Sequence, residues 1–93
     1  MREEHGSFVW NTRKELVNIK KHGINFTTAA KVFLDPKRKI FLDYEHSVSE
    51  ERYFCIGKVG GRVITVRFTY RQDWIRIYGA GYWRKGKRYY EEE

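Results

Sequence analysis

The chain has 93 residues, 41% hydrophobic and 17% aromatic, with a formal net charge of +7 and a pI near 9.7. That length builds one hydrophobic core, so a single domain over residues 1–93 is expected, and the apolar fraction excludes an intrinsically disordered chain. The lone cysteine, Cys55, excludes an internal disulfide and the usual structural zinc sites, and fits a reducing compartment.

The positive balance draws a small domain toward polyanions, nucleic acid first among them. A soluble basic protein that meets an acidic partner is the plainer alternative. No apolar run reaches the ~18 residues a membrane span needs. The opening "MREEHGSF" lacks the apolar stretch of a secretory signal, so a cytoplasmic protein without a membrane partner is expected.

In chain order, "FVWN" (Phe8–Asn11) is a short apolar run and a first strand. Thr12 and Glu15 have the spacing of a capping box, which opens a helix with a Leu16–Ile19 stripe and a stop at Gly23. "INFTTAAKVFLDP" predicts a second helix. Asn25 suits its N-cap, Phe26, Ala29, Ala30 and Phe33 share one face, and Pro36 prevents continuation. From Lys39 the apolar period changes to two. "KIFLDY" is a strand and "EHSVSEE" a polar loop. "RYFCIGKV" and "RVITVRFTY" are strands joined by Gly60-Gly61, and "WIRIYGA" is a last strand after a turn at Gln72-Asp73. The tail can turn back as a short helix from about Tyr82, although Gly86 weakens it by about 1 kcal/mol relative to alanine. Trp83 and Tyr90, seven apart, would then press on one surface. The expected fold class is α+β in the order β-α-α-β-β-β-β, with two N-terminal helices on one face of a mainly antiparallel sheet.

Pairing Val59 with Arg62 and Arg71 with Trp74 sorts the strands into faces. Tyr53, Cys55, Gly57, Ile64, Val66, Phe68, Tyr70, Ile75 and Ile77 form an apolar face toward the core. Arg52, Arg67, Thr69, Arg71, Trp74, Arg76 and Tyr78 form the other, shared with Phe54, Ile56 and Val63. A solvated sheet face explains such residues in part. Yet like charges on neighbouring strands repel, an anion relieves them, and a guanidinium matches phosphate. Trp74 and Tyr78 suit stacking on unpaired bases.

"KKHG" (Lys20–Gly23) places cations at a helix end, where the dipole favours them and where His22 can also move a proton. Asp43, Glu45 and His46 offer metal-ligand chemistry, but one histidine with two acids in a short stretch fits a polar strand end better, and no metal or cofactor is expected. His5, near a terminus, is expected to be solvated.

"FVWNTRKELVNIKKHGINFTTAAKVFLDP" resembles the opening of the BrnT toxins of bacterial type II toxin–antitoxin pairs, with the pattern W-[DN]-x-x-K-x-x-x-N-x-x-K-H-G-[VI]-x-F-x-x-A leading into D-P. Trp10, Asn11, Lys14, Asn18, Lys21, His22, Gly23, Ile24, Phe26, Ala29, Asp35 and Pro36 match it. Asp43, His46, Ser47, Glu50 and Arg52 match a D-x-x-H-S-x-x-E-x-R stretch, and Thr69, Arg71, Arg76 and Ala80 match Y-T-x-R…I-R-I-I-[SG]-A. Gly81 stands where many members carry arginine, and a variant branch ending GAGYWRKGK looks like part of the same family.

The resemblance implies a RelE-like ribonuclease fold, an RNA-cleaving toxin that halts translation, and a ribbon-helix-helix antitoxin of the BrnA kind in a toxin–antitoxin hetero-oligomer. The chemistry expected is attack of the ribose 2'-OH on the adjacent phosphorus without a metal. Arg71 and Arg76 would stabilise the phosphate, supported by Arg52. Lys21, His22 and His46 would transfer protons. Arg67, Thr69, Trp74, Tyr78, Arg84 and Lys85 would join Arg52 in binding RNA. The alternative is a module that binds RNA or antitoxin without cutting.

Overall fold

The computed structural model describes residues 2–5 and 7–92, with only the backbone described for residues 2–5. The strands are β1 (Arg2–His5), β2 (Phe8–Asn11), β3 (Lys39–Leu42), β4 (Arg52–Val59), β5 (Arg62–Arg71) and β6 (Trp74–Gly81). The helices are α1 (Thr12–His22), α2 (Phe26–Ala30) and α3 (Arg84–Glu91). The strands form one mixed sheet in the order β1-β2-β6-β5-β4-β3, in which only β2 and β6 pair in parallel. The α+β class and the element order of residues 8–81 agree with the sequence. Strand β1 is additional, and the reading of the His5 side chain lies outside the described residues.

Both turns set the expected register, the second with Gln72 in the left-handed region at φ 56°. Gly60 and Gly61 have φ of 57° and 83°, the double left-handed geometry of a tight hairpin. Val59 faces Arg62 and Arg71 faces Trp74. One irregularity intervenes. Phe68 pairs with Ile77 but Arg67 pairs with Gly79, so Tyr78 is a bulged residue.

Helix α1 starts one residue earlier than the capping box implied. Asn11 is the N-cap, accepting from the Lys14 N–H at 3.1 Å. Glu15 instead accepts from the Phe26 N–H at 2.9 Å and so ties α1 to α2. The expected core stripe is also corrected. Leu16 is 61% exposed, Val17 and Ile19 are exposed too, and the buried residue of α1 is Asn18. Its amide donates to the Ile24 carbonyl and accepts from the Ala80 N–H, both at 3.0 Å, fixing α1 beside β6 by hydrogen bonds.

The second helix is shorter than predicted. Asn25 caps α2 as expected, accepting from the Thr28 N–H at 2.7 Å, but after Ala30 the chain tightens into a 3-10 turn over Lys31–Leu34. Phe26, Ala29 and Val32 therefore form the buried row at the spacing of three that a 3-10 turn aligns. This turn covers the core face of the sheet: a Cβ on Gly57 would lie 2.8 Å from the Val32 carbonyl oxygen. Trp10, Phe26, Ile64, Val66, Phe68 and Ile77 fill the space between, each large side chain contributing roughly 1.5–3 kcal/mol by leaving water.

Helix α3 lies on the opposite face. Gly86 packs onto Thr65 and Ile56, neighbours across β5 and β4. Trp83 and Tyr90 do not share a surface: Trp83 meets Gly81 and His22, whereas the Tyr90 hydroxyl donates to Asp35 at 2.5 Å. Lys39 donates from Nζ to the Tyr89 and Glu92 carbonyls at the end of α3. Helix α3 thus sits over Ile56 and Thr65 and reaches β3, where the Phe41 and Tyr89 ring centroids lie 5.5 Å apart.

Candidate active site

The loop between β3 and β4 is folded by its own polar side chains. Asp43 is buried and its carboxylate holds the His46 ring at 2.8 Å. The Ser47 hydroxyl donates to the Asp43 carbonyl at 2.6 Å and accepts from the Arg52 N–H at 2.9 Å. This closed loop delivers Glu50 and Arg52 to the mouth of the sheet.

There Glu50 lies between two guanidiniums, Arg52 and Arg71, each at 3.4 Å. Lys14, from the first turn of α1, joins them. Its ammonium is held below the usual lysine range by partial burial first, then by the charges of Arg76 and Arg52, with Glu50 acting in the opposite direction. Arg52 and Arg71 thus pair with Glu50, and Lys14 lies within the electrostatic reach of Arg52, Arg76 and Glu50. Such a group binds an anion well and contains both a proton acceptor and a proton donor.

Tyr78, raised by the bulge, supports the same face. The Arg52 and Arg67 guanidinium carbons lie 4.6 and 5.2 Å from its ring centroid, a stacking that fixes both cations. Between this face and α1 runs a cleft of about 510 Å3 lined by Lys14, Lys21, His22, Arg67, Tyr78 and Trp83, among others.

The structure thus brings Arg52, Arg71 and Arg76 together, and Arg67, Tyr78, Lys21 and His22 into the adjoining cleft. Trp74 is half-buried opposite Arg71. Thr69 points the expected way but is 1% exposed, because its hydroxyl donates to the Glu51 carbonyl at 2.7 Å; it anchors the loop. His46 is engaged by Asp43 and is not part of the cleft lining. Arg84 and Lys85 are exposed on α3 and do not line the cleft either. Asp43, Glu45 and His46 bring potential ligand atoms within 4.8 Å of one another, but Asp43 is committed to His46, and we assign no ion to them.

Lys14, Glu50 and Trp83 were not among the expected site residues, and the structure places them in or beside the candidate site. Lys14 and Glu50 both stood in the matched pattern, and a lone acid near clustered arginines was the available signal. Trp83 had none beyond its place in the tail. A Cβ on Gly81 would lie 2.8 Å from the Trp83 ring, so this ring takes the room directly over Gly81.

No helix among the described residues is long and apolar enough to cross a membrane. No curated protein matches the chain. The family model described as the ribonuclease toxin BrnT of type II toxin–antitoxin systems matches residues 10–86, a span that includes Lys14, Glu50 and every clustered arginine. The chain therefore belongs to the BrnT ribonuclease toxins of type II toxin–antitoxin systems.

Proposed function

We propose that this protein is a metal-independent endoribonuclease that cuts single-stranded RNA through its own ribose 2'-OH and so inhibits translation. The observation that carries this reading is the Glu50 carboxylate between Arg52 and Arg71, beside Lys14 with its weakened hold on a proton. Glu50 accepts the 2'-OH proton as the 2'-oxygen bonds to phosphorus. Arg71, Arg76 and Arg52 stabilise the charge gathering on the phosphoryl oxygens. Lys14 gives its proton to the departing 5'-oxygen as the P–O bond breaks. The products are a 2',3'-cyclic phosphate and a 5'-OH. The arginines and Lys14 supply the positive charge such a transition state needs. Lys21 and His22 belong to substrate binding in this scheme, and His46 to the loop.

The whole chain acts as one cytoplasmic BrnT-like domain. A ribbon-helix-helix antitoxin of the BrnA kind silences it by covering the cationic face in a hetero-oligomer, consistent with the net charge of +7.

The test is end-group analysis of RNA incubated in EDTA with wild type, Arg71→Ala and Arg76→Ala. Cyclic-phosphate ends from wild type, reduced about a hundredfold or more in each variant, are expected. A requirement for added metal would sink the mechanism. RNA that is shifted on a gel but never cut would favour the second reading, a non-cleaving RNA-binding or antitoxin-binding module. Gly81 is the observation that keeps this reading in view, since the resemblance places arginine there in many members.

A further inference from the structure

The cleft beside the proposed catalytic cluster has a character of its own. Arg13, Lys14, Lys21 and Arg67 line it, and no carboxylate among the described residues does. Glu50, which pairs with Arg52 and Arg71, is absent from its lining. Among the described residues its lining is therefore cationic without an acid, in a concave space of about 510 Å3, enough room for a nucleotide-sized group. One wall is aromatic. The Trp83 ring is held over Gly81 and packs tilted against the His22 ring at 5.3 Å between centroids, while remaining 37% exposed. Positive charge paired with an available indole is the combination that holds a single-stranded nucleotide, phosphate on the cations and base on the ring.

We infer that this cleft is the subsite for the nucleotide adjoining the scissile phosphate, with Lys21, Arg13 and Arg67 holding its phosphate and Trp83 stacking its base. This rests on the nuclease reading for its register along the RNA, but the binding site itself does not depend on cutting. Lys14 and Arg67 place the two sites side by side: Lys14 belongs to both, and Arg67 shares the Tyr78 ring with Arg52. Recognition of RNA is thus spread over at least two consecutive phosphates, and base preference resides at Trp83 rather than among the arginines.

Short fluorescent 2'-O-methyl oligoribonucleotides test this, because they lack the attacking hydroxyl and cannot be cut. Their affinity for the full chain is measured by anisotropy over a salt series, one homopolymer per base. Trp83→Leu is expected to weaken binding about tenfold with the salt slope unchanged. Lys21→Ala, on an exposed turn of α1, is expected to lower the slope of log K against log salt by about 0.7, the loss of one phosphate contact. Wild-type binding by both variants overturns the inference. If Trp83→Leu also loses helix signal by circular dichroism, Lys21→Ala decides alone, and an unchanged slope overturns it. Binding that responds to these variants in a protein that never cuts RNA would sink the nuclease reading and leave the subsite. Cutting with insensitive variants would do the reverse.

Discussion

At the scale of single residues, Lys14 is the group whose protonation the proposed mechanism depends on. Lys14 must be protonated to donate its proton, so cleavage is lost as pH rises through its pKa. Burial and the charges of Arg76 and Arg52 lower the Lys14 value below the usual 10.5, which moves the alkaline limb of the rate profile to lower pH. A fall in kcat/KM on the alkaline side is expected, with that limb below 10.5. Glu50→Gln should reduce cleavage by about 10²–10⁴-fold. Lys14→Met should remove the alkaline limb, and an unchanged limb in that variant would assign it to another group. Cys55 is buried in the core, and that burial pushes its thiol up to about 12.

At the scale of elements, α3 shows how propensity and packing oppose each other at one position. Glycine inside a helix costs about 1 kcal/mol relative to alanine, so propensity alone expects Gly86→Ala to stabilise the protein. The docked helix expects the reverse. A Cβ on Gly86 would stand 1.9 Å from the Thr65 hydroxyl oxygen, which is buried and without a hydrogen-bond partner. Thr65 is fixed in the middle of β5, so α3 would have to lift, at a cost of roughly 1–3 kcal/mol. Net destabilisation of Gly86→Ala in a denaturant titration is therefore expected. Adding Thr65→Ala removes the clashing oxygen and should restore part of the loss. Additive effects in that double-mutant cycle would mean the two residues do not touch. Helix α1 makes a related point: its caps and Asn18 hold it, and its apolar residues face out.

At the scale of the whole molecule, Asp35 joins three distant parts of the chain. Its carboxylate accepts from the Lys37 and Lys58 amides at 2.9 and 2.7 Å and from the Tyr90 hydroxyl at 2.5 Å. The Tyr90 hydrogen bond, more than the two amides, lowers its pKa below the ordinary 3.8. The same bond raises Tyr90 above 10.0. A depressed carboxyl stabilises the fold fully above its unfolded value and loses that contribution as pH falls through the folded value. A raised phenol stabilises fully below its unfolded value and loses it as pH rises through the folded one. Tyr90→Phe should therefore lower stability at neutral pH by about 0.5–1 kcal/mol, a solvent-screened hydrogen bond. The gap from wild type should close in acid below the folded pKa of Asp35. A gap that persists there in thermal melts would point to lost packing of the ring instead.

Whatever is decided locally was legible in the order of residues. Apolar period, turn glycines and cap residues act within a few positions, so they specified the strands of residues 8–81, both hairpin registers, the Asn25 cap and the helix stop at Gly23. The matched pattern also named residues whose work is now visible: Trp10 and Phe26 in the core, Asn18 on β6, Ser47 in the loop. Tertiary structure decided what depends on distant parts meeting. No spacing rule shows that the bulge at Tyr78 stacks two guanidiniums, that α1 buries an amide and exposes leucine, or that Glu15 serves Phe26 rather than its own helix end. Nor does any local rule bring Lys14 from the first helix to Glu50 from a loop beyond β3. That convergence follows from the parallel pairing of β2 with β6 and from α1 lying beside β6, contacts between the two ends of the chain. The tail changed most. Read locally it is a weak basic helix; docked, Gly86 presses it onto Thr65, Tyr90 latches it to Asp35, and Trp83 occupies the room above Gly81.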